Sequence, residues 1–263
     1  MHDCLPKAQS LGATPLAQAL AKVPEVTLGF WLIKIAATTL GETGGDELSM
    51  SMHLGYLLST AILAAIFGVV VSLQIRATSF RPWLYWATIV ATTTVGTTMA
   101  DFADRSLGIG YAGGSTLLLA LLLGSLWWWR RTQGSVAVAS VNSPRAEAFY
   151  WVTILFSQTL GTALGDWMAD SAGLGYRGAA LVFGGLLALT AAAYLWTKVS
   201  RTALFWLAFV LTRPLGAVVG DFLDKPLDHG GLALSRFGAS AALLLFMAAC
   251  IVLLRQRAAP SAH

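Results

Sequence analysis

Apolar residues run along this chain in long blocks, not in the short alternations of half-buried strands. A hydrocarbon layer about 30 Å thick takes about 20 apolar residues as a helix. Read between charged clusters, blocks near that length fall at 26–45, 54–75, 82–100, 110–129, 149–165, 178–196, 204–220 and 232–254. The pattern predicts an all-α polytopic membrane helix bundle of eight transmembrane helices. Pro24 and Pro82 stand at or near helix starts, where a missing N–H costs little. The one linker-like stretch lies at 131–145. It divides the chain into an N-terminal segment 1–22, a first membrane half 23–130, the linker, a second half 146–255 and a tail 256–263. The first 24 residues hold no continuous apolar stretch with a small-residue cleavage site, so no cleaved signal peptide is expected.

Composition agrees with that class. Of the 263 residues 56% are hydrophobic and 11% charged, with a mean hydropathy of +0.68. A soluble domain would carry about 25% charged residues. Disorder, collagen and a disulfide scaffold are excluded by the same figures. Cys4 and Cys250 lie at opposite ends of the sequence and have no metal-binding spacing.

The net charge of +4 suggests nucleic acid until the charges are mapped. The termini, the linker and the loops after blocks two and six carry eleven basic residues against three acids. Opposite loops hold Arg105, Arg177, Lys225 and Arg236 against nine acids. By the positive-inside rule both termini and the linker are cytoplasmic, in an inner-membrane protein with the acidic loops outside. No nucleic-acid partner is expected; the lipid bilayer is.

Within the blocks one unit is written four times. Aromatic–Trp pairs stand at Phe30-Trp31, Tyr85-Trp86, Tyr150-Trp151 and Phe205-Trp206. Fifteen residues beyond each Trp is an Asp: Asp46, Asp101, Asp166 and Asp221. Nine residues after each Asp is Gly55, Gly110, Gly175 or Gly230. Each repeat reads as a hairpin of two spans, so all four are parallel and related by an axis along the membrane normal. In the first helices, positions equivalent to 37, 41 and 45 are small in every copy, a seam for close helix approach. The first helices are therefore expected at the centre.

The recurring Asp sits where its helix is expected to end, and there the macrodipole disfavours negative charge. It reads either as a ring of carboxylates at the mouth of an ion path, or as a cap or interfacial marker. In the second case Asp104, Asp170 and Asp224 are solvated loop acids. Hard divalent cations take such oxygens, backed by Thr hydroxyls and carbonyls. Deeper in, the copies diverge. Lys34 is matched by Ile89, Ile154 and Phe209; Thr38 by Thr93, Gln158 and Arg213; Glu42 by Thr97, Thr162 and Ala217. Positions 34, 38, 41 and 45 fall within about 60° on a helix, on the packing face. A charge at mid-bilayer costs about 2.5–3.5 kcal/mol on insertion scales. Glu42 is the one buried acid for Lys34 or Arg213, and Glu42–Arg213 is the expected pair. It reads as a registry-fixing ion pair or as a coupling site. His53 and His229 read as solvated loop histidines, and the Trp127-Trp128-Trp129 run before two arginines as an interfacial belt. No nucleophile elbow, zinc-protease, phosphate-loop or dinucleotide motif is present, so no enzyme and no cofactor are expected.

The aromatic–Trp pairs, the TLGxxxGD phrases and the GLGY starts of second helices together resemble a bacterial family of small polytopic proteins known as "uncharacterized membrane-anchored protein". The resemblance covers the chain from about residue 22 onward and implies the fold without a mechanism. Glu42-Thr-Gly-Gly-Asp46 is also similar to the ExGDKT-like motifs of small manganese and calcium exporters. It differs by an extra residue before Gly-Asp and by the missing Lys-Thr, and the other copies lack the Glu. The leading expectation is a transporter exporting a divalent metal cation such as manganese. Glu42, Asp46, Asp101, Asp166 and Asp221 would be metal ligands, with Lys34, Thr38, Thr93, Gln158 and Arg213 along the path. A small organic ion, with Lys34 and Arg213 meeting an anionic group, and a non-transporting scaffold or accessory subunit stay open. The pattern leaves room for a homo-oligomer.

Overall fold

A computed structural model describes residues 22–259. Cys4, Lys7 and nearly all of the N-terminal segment 1–22, with the end of the tail 256–263, lie outside the described residues. Eight long helices are present: α1 (Leu28–Asp46), α2 (Gly55–Arg76), α3 (Pro82–Asp101), α4 (Gly110–Gln133), α5 (Pro144–Asp166), α6 (Gly175–Trp196), α7 (Arg201–Asp224) and α8 (Arg236–Leu253). Thr27, Ser143, Ser200 and Ser235 cap α1, α5, α7 and α8, their hydroxyls accepting an exposed N–H of the first turn.

The first helices of the repeats form an inner ring in which α1 touches α3 and α7, and α5 touches α3 and α7. The second helices lie outside it. Each repeat is a two-helix unit in sequence, but its two helices are not each other's main partners. Each second helix packs mainly on the first helix of the next repeat: α2 on α3, α4 on α5, α6 on α7, and α8 back on α1. The turns between the two helices share a form in three of the copies. In repeats one to three the first helix runs on without a break into a five-residue π turn, Glu47–Ser51, Phe102–Ser106 and Trp167–Ser171. The second helix then starts at Gly55, Gly110 or Gly175, each at φ between +63° and +74°, and Gly230 repeats the conformation at +82°. A side chain disfavours that backbone, which is why this position is Gly in all four copies. Contacts cross the linker between α4 and α5 as they cross the other repeat boundaries.

Five helices, α2, α4, α6, α7 and α8, are long and apolar enough to cross a membrane. The outer ones expose large apolar side chains such as Leu57, Val69, Leu181 and Leu245. Helices α1, α3 and α5 are of similar length, and most of their Thr, Gly and charged positions, Lys34, Glu42 and the recurring Asp among them, are buried.

The end bearing the chain termini is closed by aromatic rings. Phe30, Tyr85, Trp86, Tyr150, Trp151 and Trp206 are buried and pack edge-to-face or tilted against their neighbours. The hydroxyls of Tyr85 and Tyr150 lie 2.6 Å apart. At the same end the first and last described residues meet: Glu25 N–H donates to Arg257 O at 2.9 Å and Ala259 N–H to Val23 O at 2.9 Å. Lys22 and Glu147 pair at 2.5 Å.

Candidate functional site

The small-residue seam and the Thr row form one interlock. A methyl group at Gly41 would collide with Thr93, and at Gly96 it would meet Gln158 at 3.1 Å. Gly161 faces Arg213 and Gly216 faces Thr38 in the same way. Each helix of the ring thus seats its side chain at this level on the glycine of its neighbour. Thr38 donates to Thr212 O at 3.1 Å and Thr93 to Ala37 O at 3.2 Å, two copies of one interhelical bond. Each hydroxyl has one proton, which it shares between that carbonyl and one of its own helix, so neither has a proton left for an ion path.

Gln158 and Arg213 break that rule. The Arg213 guanidinium, fully buried, instead reaches one turn along the ring. Its two terminal nitrogens lie 3.0 Å from Glu42 Oε2, and Nη2 lies 2.7 Å from Thr97 Oγ1 and 2.5 Å from Thr162 Oγ1. One side chain from α7 therefore binds α1, α3 and α5 at once, which puts it on the shared axis. The Glu42–Arg213 pair is the one anticipated from the scarcity of buried acid. Lys34 finds no acid: its ammonium is buried without a hydrogen-bond partner, 4.1 Å from the centre of the Phe209 ring. The Gln158 carboxamide is likewise buried, with neither atom partnered.

One turn further on, all four recurring Asp residues are buried, and two cations divide them. Arg105 Nε lies 2.9 Å from Asp101 and Nη2 lies 3.4 Å from Asp166, bridging α3 and α5. Lys225 pairs with Asp46 and lies 3.1 Å from Asp221, bridging α1 and α7. Arg236, at the start of α8, binds Asp224 at 2.6 Å and approaches Asp46 at 4.0 Å. Burial alone would lower the Lys225 ammonium, but the carboxylates of Asp221, Asp46 and Asp224 hold it well above the usual lysine range. Arg105 is raised for the same reason by Asp101 and Asp166, against its own burial.

One oxygen from each of Glu42, Asp46 and Asp221 lies within 4.8 Å of the others. Asp101 and Asp166 stand in the other pair, and Thr38 and Thr93 act within the helix seam. Asp46, Asp101 and Asp166 are the last α-helical residues of α1, α3 and α5, as expected, with a π turn following each, whereas α7 runs three residues past Asp221. Asp104 and Asp224 are not solvated loop acids but buried, with burial raising the Asp104 carboxyl against Arg105, whereas Asp170 is exposed. His229 is solvated beside Asp228.

Arg105 and Lys225, loop charges by sequence, are the cations that the structure places on the recurring acids. Their signal was present. The residue four beyond each recurring Asp is Met50, Arg105, Asp170 and Lys225, a cation in the second and fourth copies alone.

A family model described as "Repeat of Unknown Function (DUF347)" matches residues 29–80, 84–135, 149–200 and 204–258. The chain belongs to this family. Each DUF347 repeat opens one residue before an aromatic–Trp pair, so the four copies coincide with those read from residue spacing. No curated protein and no solved structure matches the chain.

Proposed function

We propose that this DUF347 protein is a membrane transporter for a small cation, with a divalent metal such as manganese as its substrate. In this reading the chain lies in the cytoplasmic membrane, termini inside by the Lys/Arg bias, and moves the ion outward. The observation that carries the reading is the Glu42, Asp46 and Asp221 triad, buried in the bundle with its oxygens within 4.8 Å of one another. Hard cations bind oxygens at about 2.0–2.6 Å, so ligand oxygens about 3–5 Å apart fit around one ion. Ionisable groups at this depth are costly and mark ion paths. The test is the metal content of cells lacking or overproducing the protein, measured across Mn²⁺, Zn²⁺, Co²⁺ and Ni²⁺. Cells lacking it are expected to accumulate one of these ions, and cells carrying the Asp46→Asn form to behave like them. Unchanged content for every metal removes the reading in favour of a scaffold role.

A small organic ion is the second reading, favoured by the buried Lys34 ammonium and Gln158 carboxamide, neither of which has a hydrogen-bond partner in the protein. Those donors suit an anionic group. Loss of organic-ion flux with Lys34→Met and unchanged metal content would select it.

A further inference from the structure

The cation reading above makes the position of Lys225 a problem, because the ammonium lies on two of the three candidate ligands. We infer that Lys225 is a tethered stand-in for the transported cation: it neutralises Asp46 and Asp221 while the site is unloaded and must leave when an ion enters. The inference rests on that reading and adds how the site is regulated.

Three observations carry it. The Asp46 Oδ1 atom is buried and has no donor, so the triad keeps an oxygen that the ammonium does not use. A metal ion would take one oxygen from each of Glu42, Asp46 and Asp221, and two of those carboxylates are the ones Lys225 pairs with. The two cations cannot share the position, since an ammonium and a divalent ion held against the same two carboxylates repel each other at contact distance. Next, Lys225 stands at the edge of the bundle, where a swing away is open to it. It is the first residue after α7, with an extended backbone (φ −70°, ψ 153°), and its side chain is 13% exposed toward the end away from the termini. A four-carbon stem can swing from there without unwinding a helix turn. Finally, the other pair is built differently. Asp101 and Asp166 are held by Arg105, whose planar, always-charged guanidinium engages both acids by separate nitrogens. Lysine is the compact, rotatable alternative, and it stands at the pair that Glu42 joins. Met50, at the equivalent position of the first repeat, offers only its sulfur to Lys225, at 3.9 Å.

The consequence is a site whose affinity is set by competition within the protein. Ions in bulk solution meet a neutralised pair, and loading is coupled to outward movement of one side chain.

The test uses the full chain in lipid nanodiscs with Mn²⁺ alone as probe, binding being measured by equilibrium dialysis. Lys225→Gln is expected to bind Mn²⁺ about tenfold tighter or better than wild type, because the competing charge is gone, and Lys198→Gln to bind as wild type does. On the wild-type protein, acylation of Lys225 by an amine-reactive reagent is expected to rise several-fold with Mn²⁺, while Lys198 stays constant. Equal Mn²⁺ affinity for wild type and Lys225→Gln with unchanged labelling overturns the stand-in role and leaves the metal reading standing. Absence of Mn²⁺ binding by either protein overturns both. Should Lys225→Gln fail to fold, the labelling of the wild-type chain decides: a rise supports the inference and a flat signal overturns it.

Discussion

The two carboxylate pairs of the inner ring share one plan and differ in what lies behind them. Asp101 and Asp166 face Thr97 and Thr162 one turn deeper, neutral hydroxyls that accept from Arg213. Asp46 and Asp221 have Glu42 behind them, itself bound to the same guanidinium. A single change in one of four copies thus gives one pair a third carboxylate and leaves the other a closed ion bridge. Fourfold repetition builds the ring, and the chemistry is carried by the departures from it.

Removing the charge behind the α1–α7 pair tests that contrast most severely. Arg213→Met strands Glu42 in the interior and is expected to cost about 3–5 kcal/mol, the usual result of orphaning a buried ion. Adding Glu42→Met should restore most of that loss, read as the thermal unfolding midpoint in detergent. If the double variant is no more stable than the single one, the pair holds the ring by packing and not by charge.

A smaller effect separates the pairs directly. Asp46→Asn is expected to weaken Mn²⁺ binding in nanodiscs about tenfold or more, by removal of a charged ligand, and Asp101→Asn to weaken it far less. Equal losses would mean that all four acids act as one ring.

The smallest effect lies at the opposite end. Tyr85→Phe removes the hydroxyl contact with Tyr150 and should cost about 0.6–1.7 kcal/mol, the range of interhelical hydrogen bonds in membranes. Mn²⁺ affinity should not move, because the aromatic layer lies two turns or more from the carboxylates on α1 and α3. A changed affinity would show the two ends to be coupled.

Much of this was legible in the residues. The eight helices follow from block length, the central place of α1, α3, α5 and α7 from the small-residue seam, and Glu42–Arg213 from the shortage of buried acid. The pairing of Arg105 and Lys225 with acids of a neighbouring repeat was harder to see. Each lies four residues beyond its own Asp, a spacing that describes one helix and not its neighbour. Arg236 was equally hidden, since it approaches Asp46 from a helix that closes the ring.

Spacing along the chain determines what recurs, because a 55- or 65-residue shift restores the same helix face and the same depth. That is why hydrophobic length, the glycine seam and the acid row could be read in advance. Which helices become neighbours was set by folding, which seats each second helix on the first helix of the next repeat. Charge partners depend on that arrangement. An ammonium finds its carboxylate by distance in space, and the linear order of residues carries no record of that distance.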